Sequence, residues 1–140
     1  MNKPTTVALG LLLATVVLGI AGSAAMAFWW PVHCVNTIQG RLASPDGRHQ
    51  LVVFERDCGA TTDYSTQVSV LGAGEALPDE PGNVYIYTHR VPVRVGWISA
   101  SETVVCYAPG FRGDELPPLP AGLTVRYMQD GPGPLPCQAV

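Results

Sequence analysis

Apolar residues follow two different patterns along the chain, and the change falls near residue 33. From Val7 to Ala21 leucine, valine, isoleucine, alanine and glycine run almost without a break, and no charged residue stands between Lys3 and Arg41. A stretch that is apolar on every side predicts one hydrophobic helix, not an amphipathic helix lying on a core. Beyond residue 33 the pattern shortens to period two. The run "VNTIQGRLASPDGRHQLVVFERDC" sets two strand-like segments around Pro45-Asp46-Gly47. That is the signature of a three-residue hairpin loop, a type I turn followed by a glycine at positive φ.

Further period-two runs lie at Thr66–Leu71, Asn83–Tyr87, Val91–Ile98, Thr103–Tyr107 and Leu123–Tyr127. Val93, Val95 and Trp97 fall on one face, and the turn at Ser99-Ala100-Ser101-Glu102 returns the chain into a second hairpin. "APGFRGDELPPLPAG" is too rich in proline and glycine for regular structure. The expected fold is all-β, an antiparallel β-meander of about six or seven short strands after one N-terminal hydrophobic helix. Open sheet, sandwich and small barrel stay open as alternatives. Residues 1–33 form a leader or anchor, and residues 34–140 form one domain with a Pro/Gly-rich tail.

Two readings of the leader compete. Ala25-Met26-Ala27 is a small-x-small cleavage site and Val7–Ala21 an h-region, so cleavage after Ala27 gives a secreted or periplasmic chain beginning at Phe28. Left uncut, residues 7–30 suffice to cross a bilayer core of about 30 Å, with Trp29 and Trp30 as an interfacial aromatic belt. The bulky Phe28-Trp29-Trp30 favours the anchor. Pro31-Val32-His33 lacks the small residues that precede a lipidated cysteine. In both readings Lys3 and the amino terminus keep to the cytoplasmic side, which places the domain outside.

Composition narrows the picture. In 140 residues, 15 glycines and 13 prolines leave room for one modest body with many turns. Net charge is −3, and Lys3 and the scattered arginines make no basic stripe, which argues against nucleic acid as a partner.

An oxidising location turns Cys34, Cys58, Cys106 and Cys137 into candidates for disulfides, with three connectivities open. The first hairpin selects one. If Ser44 faces Arg48, then Leu42 faces Gln50, Ile38 faces Phe54 and Cys34 faces Cys58. Opposed residues have Cβ atoms about 4.5–5.5 Å apart, within reach of a bridge. By elimination Cys106 pairs with Cys137 and ties the tail to the strand Thr103–Tyr107.

The stretch "SPDG…VVFERDCGATTDYSTQVSVL", followed by "GNVYIY" and "VVCY", resembles a group of small bacterial envelope proteins of unknown function that often carry an N-terminal membrane segment. The likeness spans about residues 34–107. Its core, "DCGATT…STQVS", is specific, whereas "SPDG" is a hairpin turn shared with propeller blades. Similar proteins often place one cysteine ahead of SPDG, in keeping with a Cys34–Cys58 pair. The pair Cys106/Cys137 and the proline-rich tail depart from the pattern. The resemblance implies a bacterial cell-envelope location and supplies no activity.

Chemistry concentrates in "ERDCGATTD". As a nucleophile Cys58 requires a base, and His33, His49 and His89 are the available imidazoles. His49 sits at the hairpin turn, far from Cys58, and His33 adjoins Cys34. Asp57 and Asp63 with a histidine lack a recognised metal-ligand spacing. Gly59 reads as a left-handed position beside the bridge, and "GAGE" at Gly72–Glu75 has no βαβ context for a nucleotide loop. Tyr64, Tyr85, Tyr87, Trp97 and Tyr107 read as strand packing. Neither cofactor nor metal is implied.

Two functions follow. One is a non-enzymatic binding or accessory role toward an envelope protein or the cell wall, through a polar loop of Glu55, Arg56, Asp57, Thr61, Thr62 and Asp63 held next to a rigid bridge. The other is a small extracytoplasmic enzyme or thiol-redox protein that uses Cys58.

Overall fold

A computed structural model of the chain describes residues 3–28, 33–113, 116, 119, 122–130 and 136–140. It divides into two compact units, Met1–Val32 and His33–Val140.

The first unit is one helix, α1 (Lys3–Phe28). Its leucines and valines from Leu9 to Leu18, and Ile20, are exposed around the whole circumference. Its few hydroxyls are satisfied internally: Thr15 Oγ1 donates to the Leu12 carbonyl and Ser23 Oγ to that of Gly19, both at 2.9 Å. Among the described residues no helix is long and apolar enough to cross a membrane. The span expected to cross, residues 7–30, reaches past the described helix, and Trp29 and Trp30, the expected aromatic belt, lie outside the described residues.

The second unit is built from β1 (Val35–Ala43), β2 (His49–Asp57), β3 (Ser65–Gly72), β4 (Tyr85–Thr88), β5 (Val93–Trp97), β6 (Glu102–Tyr107) and β7 (Thr124–Gln129). Its all-β character and strand number match the sequence reading. Two sheets form, ordered β1-β2-β3-β4 and β5-β6-β7, and among the described residues they close no barrel. One expectation is corrected: β7 runs parallel to β6, with Thr103 opposite Val125 and Val105 opposite Tyr127. The connection over residues 108–123 is long enough for a crossover, which carries the chain back to the start of β6 before β7 begins. There the Thr124 amide donates to the Ser101 carbonyl at 2.9 Å.

Period two decides the core. Leu51 and Val53 of β2, Val68 and Val70 of β3, Val95 of β5 and Val105 of β6 bury their side chains in one apolar cluster shared by both sheets. Val93, Trp97 and Tyr107 pack against it. Polar atoms fasten the sheets as well: Trp97 Nε1 donates to the Leu42 carbonyl at 3.2 Å, and Tyr127 OH to that of Val84 at 2.6 Å.

The opposite face of the first sheet is also covered. Val52, Phe54 and Leu71 form a second cluster, capped by Leu77 from the segment that follows β3. That segment is held down as a strap. Gln50 Nε2 donates to the carbonyls of Gly72 and Glu75 at 3.0 and 2.8 Å, and Asn36 Nδ2 to that of Pro78 at 3.0 Å. The Gly82 amide donates to Gln67 Oε1 at 2.6 Å. By sequence, Gly72–Gly82 is a Gly/Pro/Asp-rich loop between strands; folded, it seals an apolar face.

The first hairpin reaches its cysteine pairing by two compensating departures. The Ser44 amide bonds the His49 carbonyl at 2.9 Å, so the loop holds four residues, Pro45 to Arg48, where three were expected. Leu42 accordingly faces Leu51, not Gln50. A bulge between Ile38 and Gly40 then adds one residue to β1 and restores Ile38 opposite Phe54.

Candidate functional site

The open end of this hairpin is closed by the Cys34–Cys58 disulfide, with sulfurs 2.07 Å apart and Cα atoms 4.0 Å apart. The second bridge, Cys106–Cys137, has sulfurs 2.04 Å apart and Cα atoms 6.2 Å apart. Among the described residues no cysteine is free. Both pairings are those read from the sequence.

Alternation on β2 distributes the polar residues next to the first bridge. Arg56 shares a face with Phe54 and is buried at 9% exposure, while Glu55 turns to the other face. Nη1 of Arg56 donates to Asn36 Oδ1 at 2.8 Å, Asp79 Oδ1 at 3.0 Å and the Glu80 carbonyl at 3.3 Å. Arg56 therefore anchors the strap. Asp57 Oδ1 accepts the Gly59 amide at 2.9 Å, and Thr62 Oγ1 donates to the Gly59 carbonyl at 3.1 Å. Gly59 takes the positive φ expected of it, 101°.

A groove of about 500 Å³ opens at this end, lined by Arg56, Cys58, Thr62, Asp63, Ser65, Gln67, Pro81, Ile86 and Thr88. Of the six candidate loop residues, the fold gathers Arg56, Thr62 and Asp63 at the groove. Glu55, Asp57 and Thr61 are not among its walls.

Beside it lies a charged cluster. His89 Nδ1 pairs with Asp63 Oδ2. Arg90 Nε donates to Glu55 Oε2 at 3.0 Å, and its guanidinium carbon stacks 3.6 Å from the Tyr64 ring centroid. The Glu55 bond is the main cause holding the Arg90 guanidinium above its ordinary pKa. His89 has φ of 92°, unusual for a residue with a side chain. Its backbone is fixed from both sides: its amide donates to the Tyr64 carbonyl at 2.6 Å, and its carbonyl accepts Thr66 Oγ1 at 3.0 Å.

Gln67, Ile86 and Thr88 escaped the sequence reading because they lie outside the charged motif. Ser65 and Gln67 carry a signal, since alternation along β3 puts them on the face opposite Val68 and Val70. His49 stands at the other end of β2, its ring tilted against Trp97 with centroids 6.5 Å apart, and its buried Nδ1 has no hydrogen-bond partner among the described residues.

No family model, no curated protein and no solved structure matches the chain.

Proposed function

We propose that residues 34–140 are a non-enzymatic binding domain of the bacterial cell envelope, acting outside the cytoplasm through the groove beside Cys34–Cys58. The observation that carries this reading is the pairing of all four cysteines within a body that follows an apolar helix with no charged residue after Lys3. Two such bridges suit an oxidising compartment. A helix with exposed leucines on every side suits delivery to a membrane. Engagement of Cys58 with Cys34 supports recognition over chemistry, because a nucleophile must be a thiolate. The rigid bridge, the strap and the fixed backbone at His89 make the groove preformed, which lowers the ordering cost of binding.

Expression of the full chain in a bacterium tests it. A Thr61→Cys variant is expected to react in intact cells with a membrane-impermeant maleimide, while the native four cysteines stay unreactive until reduced. Labelling only after lysis overturns the location. A reactive native Cys58 favours the thiol-enzyme reading instead. Mass spectrometry of the same material assigns the mature N-terminus: Phe28 means cleavage after Ala27, Met1 a retained leader.

A further inference from the structure

We infer that the groove beside the Cys34–Cys58 bridge binds a carboxylate carried on a small apolar body, as at the C-terminal end of a peptide, through the unused edge of the Arg56 guanidinium. The inference rests on the binding role proposed above and names its ligand class.

The argument starts from donor bookkeeping at a buried cation. A guanidinium has five N–H donors in a planar fork. All of the hydrogen bonds the Arg56 side chain makes with described residues leave from Nη1, to Asn36, Asp79 and Glu80. Nε and Nη2 have no acceptor among the described residues, and the arginine side chain keeps only 10% of its surface exposed. Nε–H and one Nη2–H lie on the same edge of the group and point in parallel. That edge is the one that grips a carboxylate with two hydrogen bonds. Among the described residues His49 Nδ1 is the only buried side-chain nitrogen or oxygen without a partner, so Nε and Nη2 of Arg56 reach solvent, and a carboxylate arriving in the groove replaces water on a guanidinium that is otherwise largely desolvated.

The surroundings fit the rest of such a ligand. Thr88 lines the groove, and its hydroxyl makes no hydrogen bond with the described residues, which leaves it free to donate. Gln67, 4% exposed, spends one Nε2 hydrogen on Ser65 Oγ at 2.7 Å and its Oε1 on the Gly82 amide. Ile86, Pro81 and the Cys58 sulfur supply apolar wall. A volume of about 500 Å³ lies within the usual range for small-molecule sites, roughly 300–1,000 Å³.

Charge sets the strength. Asp79 is already paired with Nη1 at 3.0 Å, and Asp63 is turned to His89. Both carboxylates still oppose an incoming anion, so the expected affinity is millimolar, not micromolar. Bidentate geometry on a fixed guanidinium, and not net positive charge, is what selects the ligand.

The test uses the full chain in detergent solution, with N-acetyl-alanyl-alanine as probe, its C-terminal amide as control and acetate as a simple anion. Proton–nitrogen NMR reads the Arg56 Nε–H signal together with the Ile86 and Thr88 amides. The acid is expected to shift all three saturably, the amide to bind at least tenfold more weakly, and acetate to leave Ile86 unmoved. Thr88→Val, which removes no internal hydrogen bond, is expected to weaken the acid about threefold; Arg56→Lys, if folded, at least tenfold. If acid and amide bind equally and Arg56 Nε–H stays still, the carboxylate assignment is overturned while the groove remains a binding site. Acetate reproducing every shift overturns the apolar body. If no groove signal moves with any probe, both this inference and the groove's proposed role are overturned.

Discussion

Pro136 crosses β5 at Gly96: a β-carbon on that glycine would overlap the Pro136 carbonyl oxygen. The tail is therefore seated on bare backbone, and the Val95 and Gln138 amides exchange hydrogen bonds at 3.2 and 2.9 Å beside it. Gly40 receives Val140 in the same way. Gly96→Ala is expected to cost about 2–3 kcal/mol, the scale of overpacking against groups that cannot yield. Urea unfolding measures it, and wild-type stability in this variant would mean that the tail does not pass there.

Arg56 is buried and Asp79 is 64% exposed, so the two ends of their ion pair carry unequal weight. Arg56→Met removes three bonds to Asn36, Asp79 and Glu80 and releases the strap, with an expected loss of about 2 kcal/mol. Asp79→Asn keeps an acceptor and removes only a screened charge, so its expected loss is below about 0.5 kcal/mol. Equal losses in the two variants, read by denaturant midpoints, would make the charge and not the hydrogen-bonded clamp the source.

The bridges span 24 and 31 residues. Loop-closure entropy gives each about 3.5 kcal/mol, a large part of a small domain's net stability. Cys34→Ser with Cys58→Ser, and Cys106→Ala with Cys137→Ala, are each expected to lower stability by that amount. Calorimetry checks both, and a change under about 1 kcal/mol in either would show that the reduced chain is held in place by other contacts.

Asp46 sits in the hairpin loop and accepts hydrogen bonds from Ser44 Oγ at 2.7 Å and from the Arg48 side chain and amide at 2.5 and 3.1 Å. Those bonds, Ser44 first, hold its carboxyl well below the usual carboxylate range. With the folded pKa depressed, its contribution is complete above the unfolded value of about 3.9 and fades as pH falls below it. Asp46→Asn is therefore expected to flatten the decline in melting temperature between about pH 4 and pH 2. An unchanged acid profile would remove Asp46 from the account.

Tyr127 donates to the Val84 carbonyl at 2.6 Å, and burial raises its pKa above the ordinary tyrosine value. The neutral form is favoured in the folded state, so stability falls as pH rises beyond about 10. Tyr127→Phe is expected to cost about 1 kcal/mol at neutral pH and to lessen the alkaline decline. Thermal melts at pH 7 and pH 11 make the comparison.

Much of the fold could be read from the chain because period two assigns faces as soon as a strand is placed. Val93, Val95 and Trp97 reach the shared core for that reason. Cys34 and Cys58 were matched by counting from the turn, and the match survives because the four-residue loop and the bulge near Gly40 each add one residue, on opposite sides of the pairing. Neither departure has a distinct sequence signal. Strand direction is likewise silent in a period-two pattern, so the parallel β7 went unseen. Only half of the candidate loop lines the groove, since charge marks a motif without saying which side of the pleat each side chain takes. The strap was missed because proline and glycine report irregular backbone, whether it waves in solvent or lies packed like the one carrying Leu77.

The seat of residues 136–140 on β5 and β1 also imposes an order of assembly. The hairpin that carries Cys34 and Cys58 holds both of its strands and both of its cysteines by residue 58. The bridge from Cys106 must wait for Cys137, 31 residues further along the chain. A chain cut short of that point would keep one bridge shut and leave the edge of β5, where Gln138 pairs with Val95, open to whatever strand comes near.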